Sequence, residues 1–262
     1  MQDIFSLKGK TILITGGAGH LGSAMSDIIA RYGANLFIAG INEDKNLKKA
    51  TELKQRYKLP TCESFAMDIA SEASIKKVLE SIVAKTGKID VLINNAAFSK
   101  PGKLHSISSD DWCEGIDGTI NTNFMVTKAA LKYMLEEKAG NIINIASMYG
   151  MVAPNPEVYG TSGFDNPANY GAGKAAIIQL TKYIATNYAN YGIRANAISP
   201  GPFPNPQVQE NKEFINQLCR KNPMNRIGKP EDLQGVVLYL ASDASQYTNG
   251  QNIAVDGGWT SW

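Results

Sequence analysis

Lys10-Thr-Ile-Leu-Ile-Thr15 reads as a short buried strand, and it opens directly into Gly16-Gly-Ala-Gly19-His-Leu-Gly22. Gly17, Gly19 and Gly22 complete a G-x-G-x-x-G pattern, and Ser23 to Ala30 continues as a helix. Lacking a Cβ, such glycines let the backbone approach a pyrophosphate, whose charge favours the N-terminus of the following helix. Strand, glycine loop and helix in that order mark the first turn of a dinucleotide-binding sheet. Gly16, Gly17, Gly19, His20, Leu21 and Gly22 are therefore the first candidate cofactor-binding residues. Two roles stand open for His20: a place beside the phosphates, or the simpler one of capping the loop.

The alternation repeats along the chain. Thr11–Thr15 is followed by apolar runs at Asn35–Ala39, Glu63–Ala66, Ile89–Ile93, Asn141–Ala146, Arg194–Ile198 and Asn252–Val255. Helix-like stretches lie between them, among them Ser71–Lys85 and Asn169–Asn190. Repeated βαβ units imply a parallel sheet covered by helices on both faces, and right-handed crossovers make it doubly wound. The expected fold class is α/β, a doubly wound Rossmann fold with a seven-stranded parallel sheet, in one domain over residues 1–262. Ligands in such sheets bind outside the carboxyl ends of the strands. Two segments rich in Pro, Gly and Asn interrupt the pattern, at about 148–169 and 200–230, and both read as substrate loops.

Composition narrows the function classes. With 26 Lys+Arg against 24 Asp+Glu, the net charge is +2. No long single-sign run accompanies it, so neither a nucleic-acid nor an anionic-membrane footprint is suggested. Residues Met1 to Lys10 lack the pattern of a secretory signal, and no apolar run approaches the roughly 20 residues that span a bilayer. Cys62, Cys113 and Cys219 have no ligand spacing and read as buried reduced thiols. Only His20 and His105 could supply a histidine-based site, so no metal is expected. A cytoplasmic enzyme with a small-molecule substrate is the expectation.

The acid that binds an adenosine ribose should end the second strand. That strand runs Leu36-Phe-Ile-Ala-Gly40-Ile-Asn42. Gly40 stands where an Asp would select NAD, and Ile41 where an Arg often selects NADP. Asn42 could hydrogen-bond either ribose, and Glu43 and Asp44 suit the N-terminal dipole of the next helix. NAD and NADP both stay open. Asp68 and Ile69 follow the third strand, where a carboxylate could accept from an adenine amino group or cap the next helix. Asn94, Asn95, Ala96 and Ala97 follow the fourth, where asparagines can tie strand ends and border the ribose.

Tyr170 has Lys174 four residues on, and no other of the 11 tyrosines does. Residues four apart share one face of a helix. A lysine ammonium beside a phenol favours its ionised form, which turns a tyrosine into an acid/base usable near neutral pH.

With these pieces assembled, the chain resembles the classical short-chain dehydrogenase/reductase family over essentially its whole length. The matching elements are Thr15–Gly22, Asn94–Ala97, Ser147, Tyr170-x-x-x-Lys174, Ser199-Pro-Gly201, Pro223-x-x-Arg226-x-Gly-x-Pro-Glu231 and Gly250–Gly258. The resemblance implies NAD(P)-linked oxidation of a secondary alcohol, or the reverse, by a Ser-Tyr-Lys centre in a homotetramer. Under it Tyr170 exchanges the substrate proton and Ser147 bonds the substrate oxygen. Lys174 lowers the Tyr170 pKa and holds the nicotinamide ribose, and Pro200 and Gly201 line the nicotinamide side.

Four departures stand out. His20 replaces a glycine, so Gly16, Gly19 and Gly22 also fit the pattern of extended nucleotide-sugar epimerases and dehydratases. Ala97 ends a run that normally ends in glycine. Thr119 occupies the place of the family's proton-relay Asn, with Asn121 and Asn123 nearby but out of register. A Thr119 hydroxyl bound to the relay water is one expectation. Lastly, Ser147 and Tyr170 are separated by an enlarged loop carrying Tyr159, Thr161, Ser162 and Asp165 but no Lys or Arg. A neutral polar loop suits a sugar, sugar acid or polyol, as in gluconate 5-dehydrogenases and flagellin-modification sugar enzymes, which it resembles. A phosphate or carboxylate would have to meet Lys212, Arg220 or Lys221. A cofactor-retaining epimerase or dehydratase and a non-catalytic dinucleotide sensor are the alternatives. The surplus of apolar residues on Gly171–Asn190 fits a subunit interface or burial against the sheet, and Trp259 and Trp262 either pack on a neighbouring subunit or seal the sheet edge, with the resemblance favouring the interface.

Overall fold

A computed structural model describes residues 3–160 and 162–262, so Thr161 and the first two residues of the N-terminal segment lie outside the described residues. Seven parallel strands form one sheet: β1 (Thr11–Thr15), β2 (Asn35–Gly40), β3 (Cys62–Ala66), β4 (Val91–Asn94), β5 (Gly140–Ile145), β6 (Ile193–Pro200) and β7 (Asn252–Val255). Their order is β3-β2-β1-β4-β5-β6-β7. Every neighbouring pair is parallel, so all seven carboxyl ends lie along one edge, with the switch point between β1 and β4.

Side-chain alternation along the strands divides the core. Ile12 and Ile14 of β1 face one layer, built by α1 (His20–Arg31), α2 (Glu43–Tyr57) and, later in the chain, α9 (Gln234–Ala241). Leu13 faces the other, with α3 (Glu72–Thr86), α5 (Thr122–Glu137), α7 (Ala168–Asn187) and Phe37 of β2. The remaining helices are α4 (Ser109–Ile116), α6 (Pro156–Tyr159) and α8 (Lys212–Lys221). A π-helical turn, Asp117–Asn121, joins α4 to α5.

Two sequence expectations need correction here. The segment 200–230 is not all loop, because Phe214 and Leu218, four apart, bury one face of α8. The three cysteines are not all buried: Cys62 is, Cys113 is exposed on α4, and Cys219 is half-buried on α8. Burial pushes the Cys62 thiol up to about 11.

Candidate active site

The glycine loop is tightly determined. Gly16 adopts φ +65°, and a Cβ on Gly22 would lie 2.0 Å from the Gly16 carbonyl oxygen. No side chain caps α1 at Gly19, which leaves the first backbone N–H groups of that helix to an anion. His20 does not cap the loop: it is the first residue of α1, and its Nε2 is buried without a hydrogen-bond partner. Leu21 packs on the core layer of α1. Uncapped amides beside backbone that no side chain can enter fit a dinucleotide pyrophosphate.

Around that loop the adenosine-side candidates are divided. Asn95 donates to the Thr15 and Gly16 carbonyls at 3.0 and 3.1 Å, and the Ala96 N–H donates to the Thr15 hydroxyl at 3.0 Å. These bonds clamp β1 to β4, while Ala97 is exposed beyond them. The Asn42 side-chain oxygen Oδ1 accepts from the Lys45 N–H and caps α2, which leaves the side-chain Nδ2 hydrogens for a ribose. Glu43 and Asp44 lie in the first turn of α2. Asp68 is exposed and does not cap α3; Ser71 does, and Asp68 Oδ1 accepts from Ala70 N–H at 2.9 Å. Ile69 is buried in the core. At the end of β6, Pro200 is buried, and the Gly201 N–H donates to Val255 O at 3.0 Å.

Behind the strand ends lies a buried amide and hydroxyl network that extends the strand-end tie expected of these asparagines. Asn94 donates to Thr127 and Asn144, both at 2.9 Å, and Asn123 donates to Asn144 at 3.2 Å. Asn144 in turn donates to Thr181 at 2.9 Å, which joins β4, α5, β5 and α7. Thr119 stands apart from it. Its hydroxyl donates to the Gly115 and Ile116 carbonyls at 3.0 and 3.1 Å, so its proton ties the π-helical turn to the end of α4. A relay role for Thr119 has no support in this geometry.

Ser147 follows β5, with its Oγ accepting from the Tyr149 N–H at 3.1 Å. Lys174 is buried on α7, and its Nζ donates to the Ile145 carbonyl at 2.7 Å while lying 5.6 Å from the Tyr170 ring centroid. The ammonium thus meets the face of the ring. The expected lowering of the phenol fails, because burial dominates and pushes the Tyr170 pKa up, with the Ser147 hydroxyl acting in the opposite direction. Burial also brings Lys174 down to about 8, since no carboxylate balances its charge.

The enlarged loop and α8 come together over this centre. Met148, Tyr149, Val158, Phe214, Leu218 and Trp259 form one apolar cluster, with Tyr159 and Tyr170 packed against it. The Lys221 ammonium pairs with Glu157 at 3.0 Å, so its charge is engaged between the two segments. Trp259 belongs to this cluster of its own chain, and Trp262 is exposed. The Asp256 carboxylate accepts from the Gly258 and Thr260 N–H groups, both at 2.9 Å, and so turns the chain that carries Trp259 inward. The residues that make this turn, Val255-Asp256-Gly-Gly258, close the Gly250–Gly258 element of the family resemblance.

The family model described as Enoyl-(Acyl carrier protein) reductase matches residues 17–260. The chain belongs to the short-chain dehydrogenase/reductase family. It is 36% identical to the 3-oxoacyl-[acyl-carrier-protein] reductase FabG of Thermotoga maritima, over 96% of this chain and 98% of that protein. It is 32% identical to the 5-keto-D-gluconate 5-reductase of Escherichia coli K12, over 98% of both. Among solved structures, a gluconate 5-dehydrogenase from Burkholderia cenocepacia in complex with NADP and tartrate superposes with a TM-score of 0.89 at 31% identity, covering 99% of this chain and 98% of that one. This short-chain dehydrogenase/reductase is accordingly an NAD(P)-dependent oxidoreductase, and use of NAD or NADP fits both its loop and its relatives. Among the described residues no helix is long and apolar enough to cross a membrane, and no cluster of metal-ligating side chains occurs.

Proposed function

We propose that this enzyme interconverts a secondary alcohol and a ketone on a sugar, sugar acid or polyol, with Ser147, Tyr170 and Lys174 as its catalytic residues. The observation that carries the reading is the hydrogen bond between the Ser147 hydroxyl and the Tyr170 phenol just past the carboxyl end of β5, beneath a cap that includes the phenols of Tyr149 and Tyr159. In this reading the Ser147 hydroxyl holds the substrate oxygen. The Tyr170 phenol, kept protonated at neutral pH by burial, donates its proton to that oxygen during ketone reduction and recovers it during alcohol oxidation. Lys174, bonded to the Ile145 carbonyl and set over the Tyr170 ring, orients that ring and would hold the nicotinamide ribose. A bound nicotinamide dinucleotide supplies the hydride in reduction and accepts it in oxidation.

Gly16, Gly17, Gly19, His20, Leu21 and Gly22 would cradle the pyrophosphate, and Asn42, Asp68, Ile69, Asn95, Ala96 and Ala97 the adenosine half. Pro200 and Gly201 would border the nicotinamide. Gly40 places no carboxylate at the end of β2, so neither NAD nor NADP is repelled there. The names of the 5-keto-D-gluconate 5-reductase and gluconate 5-dehydrogenase relatives support a sugar-acid substrate. Residues 1–262 act in this reading as one cytoplasmic domain within a homotetramer. Supporting the assembly, Phe124, Leu180, Tyr183 and Tyr188 line one apolar surface groove between α5 and α7.

The test is a binding titration with NAD(H) and NADP(H), then a panel of polyols, sugar acids and their keto forms followed by nicotinamide absorbance. Turnover of at least one polyhydroxylated compound above simple secondary alcohols is expected. Turnover confined to apolar or acyl substrates would overturn the reading.

A further inference from the structure

The cap contains a pair of groups that the proton chemistry above leaves unused. The Tyr149 and Tyr159 hydroxyls are 2.6 Å apart, and either can be the donor. Tyr149 lies two residues beyond Ser147, whose Oγ accepts its N–H. Tyr159 ends α6, inside the stretch that separates Ser147 from Tyr170. Its ring packs on Phe214 of α8 at 5.5 Å between centroids, and Phe164 packs on the same ring at 5.0 Å. Tyr149 thus belongs to the cluster against which both Tyr159 and Tyr170 pack.

We propose that the Tyr149–Tyr159 hydroxyl pair is a specificity device that hydrogen-bonds a second hydroxyl of the substrate, adjacent to the carbinol or carbonyl that reacts. The inference rests on the reading of Ser147 and Tyr170 as the reacting end of the site.

The chemistry of the pair selects the ligand. Two phenols hold two O–H donors, and their mutual bond uses one of them. One donor and spare oxygen lone pairs are left, which is the complement of an alcohol, itself donor and acceptor. A carboxylate offers only acceptors and an alkyl chain offers neither. Burial raises both phenols above their ordinary pKa, and Tyr170 ionisation would raise them further, so the pair stays neutral. A polar pair held in an apolar cluster costs free energy when a ligand strips its remaining partners without replacing them. Such a site therefore discriminates against the analogue that lacks the matching hydroxyl. The extra stretch between Ser147 and Tyr170 acquires a purpose, because it brings Tyr159 to Tyr149.

The test uses two probes differing by one group, cyclohexanol and cyclohexane-1,2-diol. Their dissociation constants are read from Trp fluorescence in the cofactor-loaded enzyme, together with kcat/KM. Wild type, Tyr149→Phe, Tyr159→Phe and a control, Tyr247→Phe, whose ring is fully exposed, are compared. Wild type and Tyr247→Phe should favour the diol by about tenfold or more, the size of one neutral hydrogen bond, and each of the other variants should bring that ratio towards one. The loss should lie in KM more than in kcat. Unchanged melting temperatures establish that the variants fold. A ratio unaltered in both variants overturns the pair while leaving the polyol assignment standing. Equal or undetectable binding of the two probes by wild type overturns it as well, and the wider substrate panel then judges the polyol assignment separately.

Discussion

The Thr119 hydroxyl sits where a side chain on Gly173 would have to go: a Cβ there would lie 1.8 Å from Thr119 Oγ1. Gly173 precedes Lys174, so this close approach of the π-helical turn to α7 helps set where the Lys174 ammonium meets β5. Thr119 takes a packing role in the position where the family resemblance suggested a relay residue.

Gly173→Ala should therefore push α7 away from the turn, costing about 1–3 kcal/mol and reducing turnover severely. Thr119→Val keeps the shape but loses its bonds to the Gly115 and Ile116 carbonyls. It should lower stability by about 1 kcal/mol and leave kcat within about threefold. Thermal unfolding and steady-state rates on both variants check this, and a collapse of kcat in a well-folded Thr119→Val would restore the relay.

Gly22→Ala would place a methyl group 2.0 Å from the Gly16 carbonyl oxygen, at the point where α1 leaves the loop. Backbone has to move, so dinucleotide affinity should fall by at least about tenfold, with a loss of about 1–3 kcal/mol in stability. Fluorescence titration with NADH and NADPH measures the first effect and denaturant unfolding the second.

Lys174 links stability to pH. Its folded value of about 8 lies below that of an unfolded lysine, so it costs the folded state most while both forms are protonated. Between pH 8 and roughly 10.4 the unfolded chain binds more protons, and this residue's contribution becomes more favourable as pH rises. Comparison with Lys174→Met isolates the effect from other titrating groups. The wild type should gain on the variant by roughly 3 kcal/mol across that window, and no relative gain would mean that the ammonium is well solvated.

The cap should depend on packing more than on charge. Phe214 is buried between Tyr159 and Phe164, whereas the Lys221–Glu157 pair is exposed. Phe214→Ala should cost about 3–5 kcal/mol and raise KM, with dinucleotide affinity unchanged. Lys221→Ala should cost less than about 1 kcal/mol. Kinetics and thermal unfolding of the two variants rank the contributions.

The sheet was legible because buried parallel strands write themselves as short apolar runs, and Thr11–Thr15 and Asn252–Val255 matched the structure residue for residue. α8 was hidden by its setting between proline-rich stretches, although Phe214, Ile215 and Leu218 recur at helical spacing and pack on one cluster. The glycine loop and the Tyr170–Lys174 spacing could be read because each depends on local geometry. The direction of the Tyr170 shift could not, since it depends on how deeply the phenol is buried by residues distant in sequence. Asn94 could be read as a tie between strand ends, but its partners could not, for the same reason: nothing near Asn144 in the chain announces Thr181 or Asn94.

Tyr170→Phe tests the account most directly, because it removes one oxygen and leaves the ring on which Lys174 packs. Under the account, kcat/KM falls by about 10²–10⁴ while NAD(P)H affinity and the melting temperature stay near wild type. Turnover retained in the variant, or lost only together with dinucleotide binding, would contradict it.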